Sequence, residues 1–320
     1  MRSVQKKPKD DIMDPEVNMN QFGYCCINLH LQKTEKVTTN RTMRKATFVK
    51  KGLSYVSELT LSNVRSLKRL IEWNNENNIK VFRMSSDMVP WASEYDWDDL
   101  PDIGLIRDIL SEAGNIALAA GQRLSFHPGP FNCLTSKNPV AVQNAVKDLT
   151  VHGDLMDMMN QPRDHSAKIN IHLGGAYGDR PSAVDRWVKN FGLLPEPTRS
   201  RLTVENDDRP NLYSVKMLYD GVYKRTGVPI VFDSLHFECG PQDQTYKEAI
   251  DMAVSTWPKH VRPVCHHSNS RKLYEDETKM YKAHSDYYYT AFDSCGHSVD
   301  VSLEAKAKEQ ALFDYWRKFC

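Results

Sequence analysis

The sequence predicts an α/β fold, a single-domain (β/α)8 TIM barrel. Three observations carry that prediction. Short apolar runs rich in β-branched and aromatic residues recur eight times along the chain, at the length of buried parallel strands. Longer amphipathic stretches separate them. Side chains able to do chemistry gather at the C-terminal ends of the runs, where barrel enzymes keep their active sites.

The runs are FGYCCINL (22–29), IKVFRMS (79–85), QRLSFH (122–127), KINIHLG (168–174), RLTVEND (201–207), PIVFDSLH (229–236), VRPVCHHS (261–268) and VDVSLEA (299–305). The first separating stretch, 59–78, carries Leu59, Val64, Leu67, Leu70, Ile71 and Trp73 near helical spacing. Stretches 103–120, 140–159, 184–194, 212–225, 246–257 and 305–316 read the same way. A doubly wound open sheet is the alternative arrangement of such units. No internal repeat and no Pro/Gly/Ser-rich linker divides the chain. Residues 19–320 are therefore expected to form one domain, preceded by a polar tail over 1–18.

Composition narrows the function classes. The chain has 320 residues, 42 Lys+Arg and 41 Asp+Glu, a formal net charge of +1. That length supports a core without disulfides. The seven cysteines form no CxxC pair, which fits reduced thiols in a reducing, intracellular compartment. No apolar stretch approaches the roughly 18 residues of a membrane span, so no membrane partner is expected. Near-neutral net charge alone gives no case for nucleic acid.

The charge is unevenly spread, however. Between Gln32 and Lys51 lie seven basic residues, Lys33, Lys36, Arg41, Arg44, Lys45, Lys50 and Lys51, against one acid, Glu35. Such a run is ordinarily a solvated face. As a loop after the first strand it would instead sit at the barrel mouth, where phosphate contacts would need it.

The strand ends supply the chemistry. The third run ends in His127, the fourth in His172 and the fifth in Glu205. The sixth ends in Asp233 and His236, the seventh in His266, and the eighth in Glu304, while His284 precedes the eighth. Each has an ordinary reading: a hydrogen-bonded histidine, or a carboxylate capping the next helix, as Asp207 and Asp208 would do before Arg209. Three carboxylates converging on one mouth repel one another and resist desolvation, and divalent cations remove both problems. Imidazole with carboxylate suits Zn, Mn, Fe or Co rather than Ca. Eight donors suit two or three ions, with Glu205 or Glu304 as bridges. Such a cluster points to in-line displacement at phosphorus, with a sugar isomerase using the same ligand types as the alternative.

Several segments then match one family in order: TTNRTMRKATF (38–48), RMSSDMVPWAS (83–93), LSFHPGPF (124–131), TVENDD (203–208), VFDSLH (231–236), HSDYY (284–288) and SLEAKAKEQAL (302–312). They resemble the UV-damage endonuclease family, from about Phe22 to Trp316. The resemblance implies a TIM barrel related to endonuclease IV and a metal-dependent cut of damaged double-stranded DNA. The cut falls 5′ of cyclobutane dimers, 6-4 photoproducts or abasic sites and leaves 3′-hydroxyl and 5′-phosphate ends. It implies manganese as the first candidate metal, with Zn, Mg or Co as others. It places metal ligands at His127, His172, Glu205, Asp233, His236, His266, His284 and Glu304, the set already assembled from the strand ends. Glu205, Glu304 and His236 are the candidate catalytic residues.

Tyr24 and Asn28 match family positions near the lesion pocket, with core packing and a satisfied strand-end amide as the ordinary readings. Two departures stand out. The family's His-Pro-Gly-Gln-aromatic sequence is His127-Pro128-Gly129-Pro130-Phe131 here. Phe131 keeps a stacking surface for a wedge, whereas Pro130 lacks the amide that replaces lost base-pair hydrogen bonds. A family lysine, modified in some members and metal-binding, falls at Val264, whose hydrocarbon cannot ligate. Arg41, Arg44 and Lys45 are the expected phosphate contacts. Trp91 and Tyr177 are further wedge candidates, and Tyr287, Tyr288 and Tyr289 could line DNA or pack inside.

The sequence thus predicts a DNA-repair endonuclease, expected to be monomeric and to need no protein partner. An abasic-site endonuclease with weak photoproduct activity, favoured by Pro130, and a lesion-binding protein that has lost turnover, kept open by Val264, are the alternatives.

Overall fold

The computed structural model describes residues 20–320, so the tail expected over 1–18 lies outside the described residues. Each apolar run forms a strand: β1 (Gln21–Cys25), β2 (Val81–Arg83), β3 (Arg123–Ser125), β4 (Ile169–His172), β5 (Leu202–Glu205), β6 (Ile230–Asp233), β7 (Val264–His267) and β8 (Asp300–Leu303). The strands pair in parallel in the order β3-β2-β1-β8-β7-β6-β5-β4. A parallel bridge between Phe126 and Ile169 joins the two ends of that order. There the Phe126 amide donates to Lys168 O and the Asn170 amide to Phe126 O, each at 3.0 Å. The sheet closes into a barrel, and the open doubly wound alternative is set aside.

Strand alternation decides what each run presents. Tyr24, Phe82, Leu124, Ile169, Ile171, Val204 and Phe232 are buried in the main hydrophobic cluster with the surrounding helices. Inside the barrel, Arg123 Nη1 meets Asp300 Oδ2 at 2.9 Å at the strand starts. A small apolar plug of Val231, Trp257, Val261 and Val264 fills the same end. Trp257 Nε1 donates to Ile230 O at 2.8 Å, which fixes the plug to β6. The candidate metal donors lie at the other end.

The helices follow the expected amphipathic stretches with shifted starts. The first long one runs from Lys45 to Glu76, well before residue 59, because Val56 is buried and Phe48 and Leu53 pack on the core. It is two helices joined at Gly52, whose φ of 65° and ψ of −163° leave the helical region. Asn28 starts a further short helix, Leu29–Glu35, by accepting from the Leu31 amide at 2.8 Å. The basic run 32–51 is therefore only partly a loop, since both ends are helical. Among the described residues no helix is long and apolar enough to cross a membrane.

Gly52 offers a clean test of this geometry. A Cβ added there meets nothing within 4 Å, so its penalty is purely conformational. Gly52→Ala is expected to destabilise the protein by about 1–3 kcal/mol, because a positive φ combined with an extended ψ is a conformation essentially reserved for glycine. Denaturant melts read this directly, and an unchanged midpoint would show that the kink is not required.

Candidate metal centre

Seven of the predicted donors converge at the C-terminal mouth because each follows or ends a strand with its side chain on the inward face. Glu205 is at the centre and fully buried. Its Oε2 lies 3.0 Å from His127 Nε2 and 3.1 Å from His266 Nδ1, and its Oε1 lies 3.1 Å from His236 Nδ1. His266 Nδ1 is also 3.2 Å from Glu304 Oε1. The rings of His127, His172 and His236 stand 5.2–5.4 Å apart in sequence around the mouth. Asp233 caps the helix Ser234–Cys239, accepting from the His236 amide at 2.7 Å, and that turn swings His236 back toward Glu205.

Three triads bring donor atoms within 4.8 Å of one another: His127 with Glu205 and His266, His172 with Glu205 and His236, and Asp233 with His266 and Glu304. His284 belongs to none of them. Its Nδ1 donates to Glu304 O at 2.8 Å, so it flanks the cluster with Nε2 as its remaining nitrogen. A β-bridge between Ser270 and His284 holds it there.

The donor set fits divalent cations on electrostatic grounds. Glu205 Oε1, Asp233 Oδ2, His172 Nδ1 and His266 Nδ1 are all buried without an aligned hydrogen-bond partner. Leaving such atoms unpaired costs about 1–3 kcal/mol each, and a cation shared among them removes that cost. Burial works against the charge of Glu205, but the imidazoles of His266, His172 and His127 outweigh it and hold its carboxyl well below the usual range. Burial likewise opposes Glu304, and Arg83 with His266 and His284 outweighs it. Asp233 lacks enough compensation, so burial raises it. Burial would depress His236 and His172, yet Asp233 with Glu205 raises the first well above its ordinary value, and Glu205 with Asp207 raises the second. Burial lowers His266 to about 4.

The cluster floors a cleft of about 560 Å3, walled by the Pro128–Asn132 loop, Gly174, Gly175 and Arg209. Phe131 projects from the rim at 90% exposure, beside an exposed Pro130. Its loop is braced: Asn132 Nδ2 donates to Asp148 Oδ2 at 2.8 Å and to Gly129 O at 3.2 Å. Tyr177, half-exposed, stands on the loop after β4 with Arg186 and Lys137 over its ring at 5.5 and 5.8 Å.

Other expected contacts fall elsewhere. Tyr24 is fully buried on the outward face of β1, donating to Asn74 Oδ1 at 2.8 Å, and its hydroxyl accepts from Asn28 Nδ2 at 3.1 Å. Asn28 is the buried helix cap, so the lesion-pocket placement of both is corrected to a structural one. Arg41 is spent on its own loop, donating to Lys36 O at 2.9 Å, Ser66 Oγ at 3.1 Å and Thr38 O. Arg44 and Lys45 remain exposed. Trp91 donates to Met43 O at 3.1 Å and stacks on Phe48, a clasp rather than a wedge. Tyr288 is buried, whereas Tyr287 and Tyr289 are exposed. Asp207 and Asp208 cap no helix: the next begins at Val215 under Ser214. Asp207 Oδ1 lies 3.2 Å from His172 Nδ1 instead, and Asp208 pairs with Lys282 at 2.7 Å.

Four residues of the site were not foreseen. Arg83, inward on β2, pairs with Glu304. Asn170, inward on β4, donates to Glu205 Oε2. Asp207 backs His172. Lys168, at the start of the same strand, reaches His266. The signal was present as charge inside apolar runs: Arg83 in IKVFRMS, and Lys168 two and four residues before Asn170 and His172. Val264 is buried in the apolar plug, so that position offers the cluster no donor.

Comparison with known proteins gives the family. The model of the UV-endonuclease UvdE family matches residues 20–320. A UV-damage endonuclease of Schizosaccharomyces pombe is 32% identical over 310 residues, covering 93% of this chain and 50% of that protein. A UV DNA damage endonuclease of Bacillus pumilus is 31% identical over 304 residues, covering 91% of each. The chain thus spans about half the length of the yeast relative and most of the bacterial one. The crystal structure of SacUVDE superposes with a TM-score of 0.78 at 25% identity, covering 94% of this chain and 100% of that one. A D-psicose 3-epimerase of Clostridium cellulolyticum superposes at 0.51 with 14% identity, over 74% of this chain and 78% of that one, which shows the barrel fold alone. The chain belongs to the UV-endonuclease UvdE family.

The electrostatics can be tested on metal-free protein. Glu205 is the strongest influence raising His172. Glu205→Gln is therefore expected to lower the His172 titration midpoint, read from its imidazole proton resonances. An unchanged midpoint would contradict the central role of this carboxylate.

Proposed function

We propose that this UvdE-family chain is a metal-dependent DNA-repair endonuclease. It nicks damaged duplex DNA immediately 5′ of cyclobutane dimers, 6-4 photoproducts and abasic sites, leaving 3′-hydroxyl and 5′-phosphate ends. The relatives' names supply the substrate class. The observation that carries the reading is Glu205, a fully buried carboxylate contacted by three imidazoles, with one oxygen unpaired. Three overlapping triads support two or three divalent cations rather than one. Mixed imidazole and carboxylate donors favour Mn, Zn or Co, with Mg less matched to nitrogen. Bound there, such ions supply water activation and charge neutralisation at a phosphodiester.

The chain's own residues define the rest. Glu205 belongs to two triads and has two carboxylate oxygens with which it would hold two ions, whereas His266, also in two triads, would give its Nδ1 to one of them. Glu304 and His284 close the third side, and Asp233 orients His236 through the helix it caps. Arg83 holds one Glu304 oxygen and keeps a fixed positive charge at the cleft floor. Above them, Phe131 offers a ring on a braced loop, suited to enter a duplex whose stacking is already weakened by damage. Arg44 and Lys45 are exposed for phosphate contacts. A second reading, an abasic-site endonuclease with weak photoproduct activity, is favoured by Pro130, which brings no amide to the rim. A lesion-binding protein without turnover, suggested by Val264, is disfavoured because the cluster keeps its other donors.

The deciding experiment pairs metal-loaded protein with one duplex carrying a single thymine dimer and another carrying an abasic site. Cutting of both is expected. Cutting of the abasic duplex alone would favour the second reading, and binding without cutting of either would sink the nuclease. Glu205→Gln and Glu304→Gln should each reduce cutting by ~100-fold or more, since the first removes the anion common to two triads and the second an anion of the third. Near-normal cutting by both would refute the metal assignment. Phe131→Ala should lose roughly tenfold in preference for damaged over intact duplex, in line with a stacking contact of ~1–3 kcal/mol, with metal affinity retained. Metal affinity itself should weaken as pH falls, because protons compete for His172 and His236, whose pKa values are raised. Isotherms at two pH values read this.

A further inference from the structure

Tyr177 lies on the loop that follows β4 and is 47% exposed. Its backbone takes φ 52°, a left-handed conformation that glycine or asparagine would fill at lower cost. The ring folds back over the cleft wall: a Cβ on Gly175 would lie 3.1 Å from Tyr177 Cε2 and 3.3 Å from Cζ. Gly174 and Gly175 line the cleft above the metal cluster together with Pro130, Asn132 and Cys133. Gly174 packs so closely on that second loop that a Cβ there would fall 2.9 Å from Thr135 Oγ1 and 3.1 Å from Cys133 Sγ. The helix Arg180–Phe191 ties the two loops together, with Arg186 Nε donating to Thr135 O at 2.7 Å and Asn190 Nδ2 to Leu134 O at 2.8 Å. The Cys133 amide donates to Phe131 O at 2.8 Å. Phe131 and Tyr177 are thus two exposed rings carried by one braced wall.

Two cations fix the second ring. Arg186 Cζ and Lys137 Nζ lie 5.5 and 5.8 Å from its centroid, each attracted by the π face. Among the described residues neither has a carboxylate at ion-pair distance; Asp179, the neighbouring acid, is bound to the Ser182 amide and hydroxyl at 3.1 and 2.6 Å. Lys137 is exposed. A half-exposed tyrosine with a left-handed backbone is a poor choice for packing, because little burial offsets its conformational cost. A fixed ring beside a wedge suits another task. When Phe131 enters a duplex a nucleotide must leave the stack, and Pro130 has no side-chain donor to hold it. Bases stack on aromatic faces whatever their sequence, and a neighbouring ammonium meets the phosphate. We infer that Tyr177 is a second lesion-recognition residue: its ring is the plate on which one nucleotide displaced from the damaged duplex stacks, with Lys137 at that nucleotide's phosphate. Fixing the ring beforehand removes the entropy cost of ordering it on binding. The inference rests on the proposed endonuclease reading.

The test compares metal-loaded wild type, Tyr177→Phe, Tyr177→Gly and Lys137→Ala on an intact duplex, one with an abasic site and one with a thymine dimer. Half-saturation of single-turnover cutting gives affinity, and competition by the intact duplex gives the preference for damage. Metal titrations and melts of the metal-free proteins run in parallel. Tyr177→Gly should lose roughly tenfold or more in affinity for the damaged duplexes, the size of one base–aromatic stack, while intact-duplex affinity stays within about twofold. Its metal affinity should be retained, and it should melt at or above the wild-type temperature because the left-handed backbone is relieved. Tyr177→Phe, which keeps the π face, should retain the preference for damage. Lys137→Ala should reduce the salt slope of binding by about one. Undiminished preference in Tyr177→Gly, its loss in Tyr177→Phe, or an unchanged salt slope in Lys137→Ala would each overturn the inference. So would equal loss on intact and damaged duplexes or a lowered melting temperature in Tyr177→Gly, which mark a structural ring. A wild type that neither cuts nor prefers damaged duplex sinks the endonuclease reading and this inference with it. The two failures stay distinguishable, because one appears in the wild type and the other only in the variants.

Discussion

Glu205 carries its charge at the end of β5 with no solvent around it, and the mouth of the barrel is organised by that fact. A buried carboxylate is tolerated only with partners at hydrogen-bond distance, because its desolvation penalty is several kcal/mol. Here the partners come from three other strands: His127 after β3, His266 on β7 and His236 just after β6. Asn170 of β4 adds a fourth. Each of these elements must keep its register for the charge to stay compensated. A slip of one residue in β5 would turn Glu205 outward into the apolar layer and Val204 inward among the imidazoles. The carboxylate therefore ties strand register to function.

The seam between β3 and β4 shows the same coupling from the side of the fold. Only two backbone hydrogen bonds close the barrel there, through Phe126, Lys168 and Asn170. The residues that close it also supply site side chains, because β4 turns Lys168, Asn170 and His172 inward at successive heights. These reach His266, Glu205 and the vicinity of Asp207 in turn. Opening this seam would move three site residues together. At the other end of the barrel, Val231, Val264 and Trp257 plug the interior. Apart from the Arg123–Asp300 pair beside that plug, the charged side chains that could hold a metal gather at the mouth.

Much of this was legible in the sequence, for a specific reason. A parallel barrel strand is short, apolar and followed by a helix, so both its position and its catalytic end show up as composition. That logic located the strand-end donors. It failed where direction rather than position mattered. His266 and His267 are adjacent and chemically alike, yet alternation sends His267 outward against Tyr288, with Ser234 Oγ at 2.8 Å. Tyr24 looked like a pocket residue and faces the helix layer. Arg41 looked free and binds its own loop, since a hydrogen bond to a carbonyl leaves no trace in composition. Lys168 and Arg83 went unread because a charge in an apolar run resembles a strand edge until the opposite wall is known.

Charge at the mouth completes the picture. Whole-chain charge is +1, but the cleft floor concentrates Glu205, Asp233 and Glu304 against one permanently charged cation, Arg83. Bare, that floor would repel the phosphodiester of any nucleic acid. On the proposed reading, two divalent cations change the sign of the local charge, so substrate binding and metal binding become one linked equilibrium rather than two independent ones. Protons are the weaker alternative: taken up by His172 and His236, they reduce the negative charge but occupy the nitrogens a metal needs. The raised pKa values of those two histidines therefore describe how the carboxylate is compensated when no metal is there to do it, and the same atoms give the site its affinity when one is.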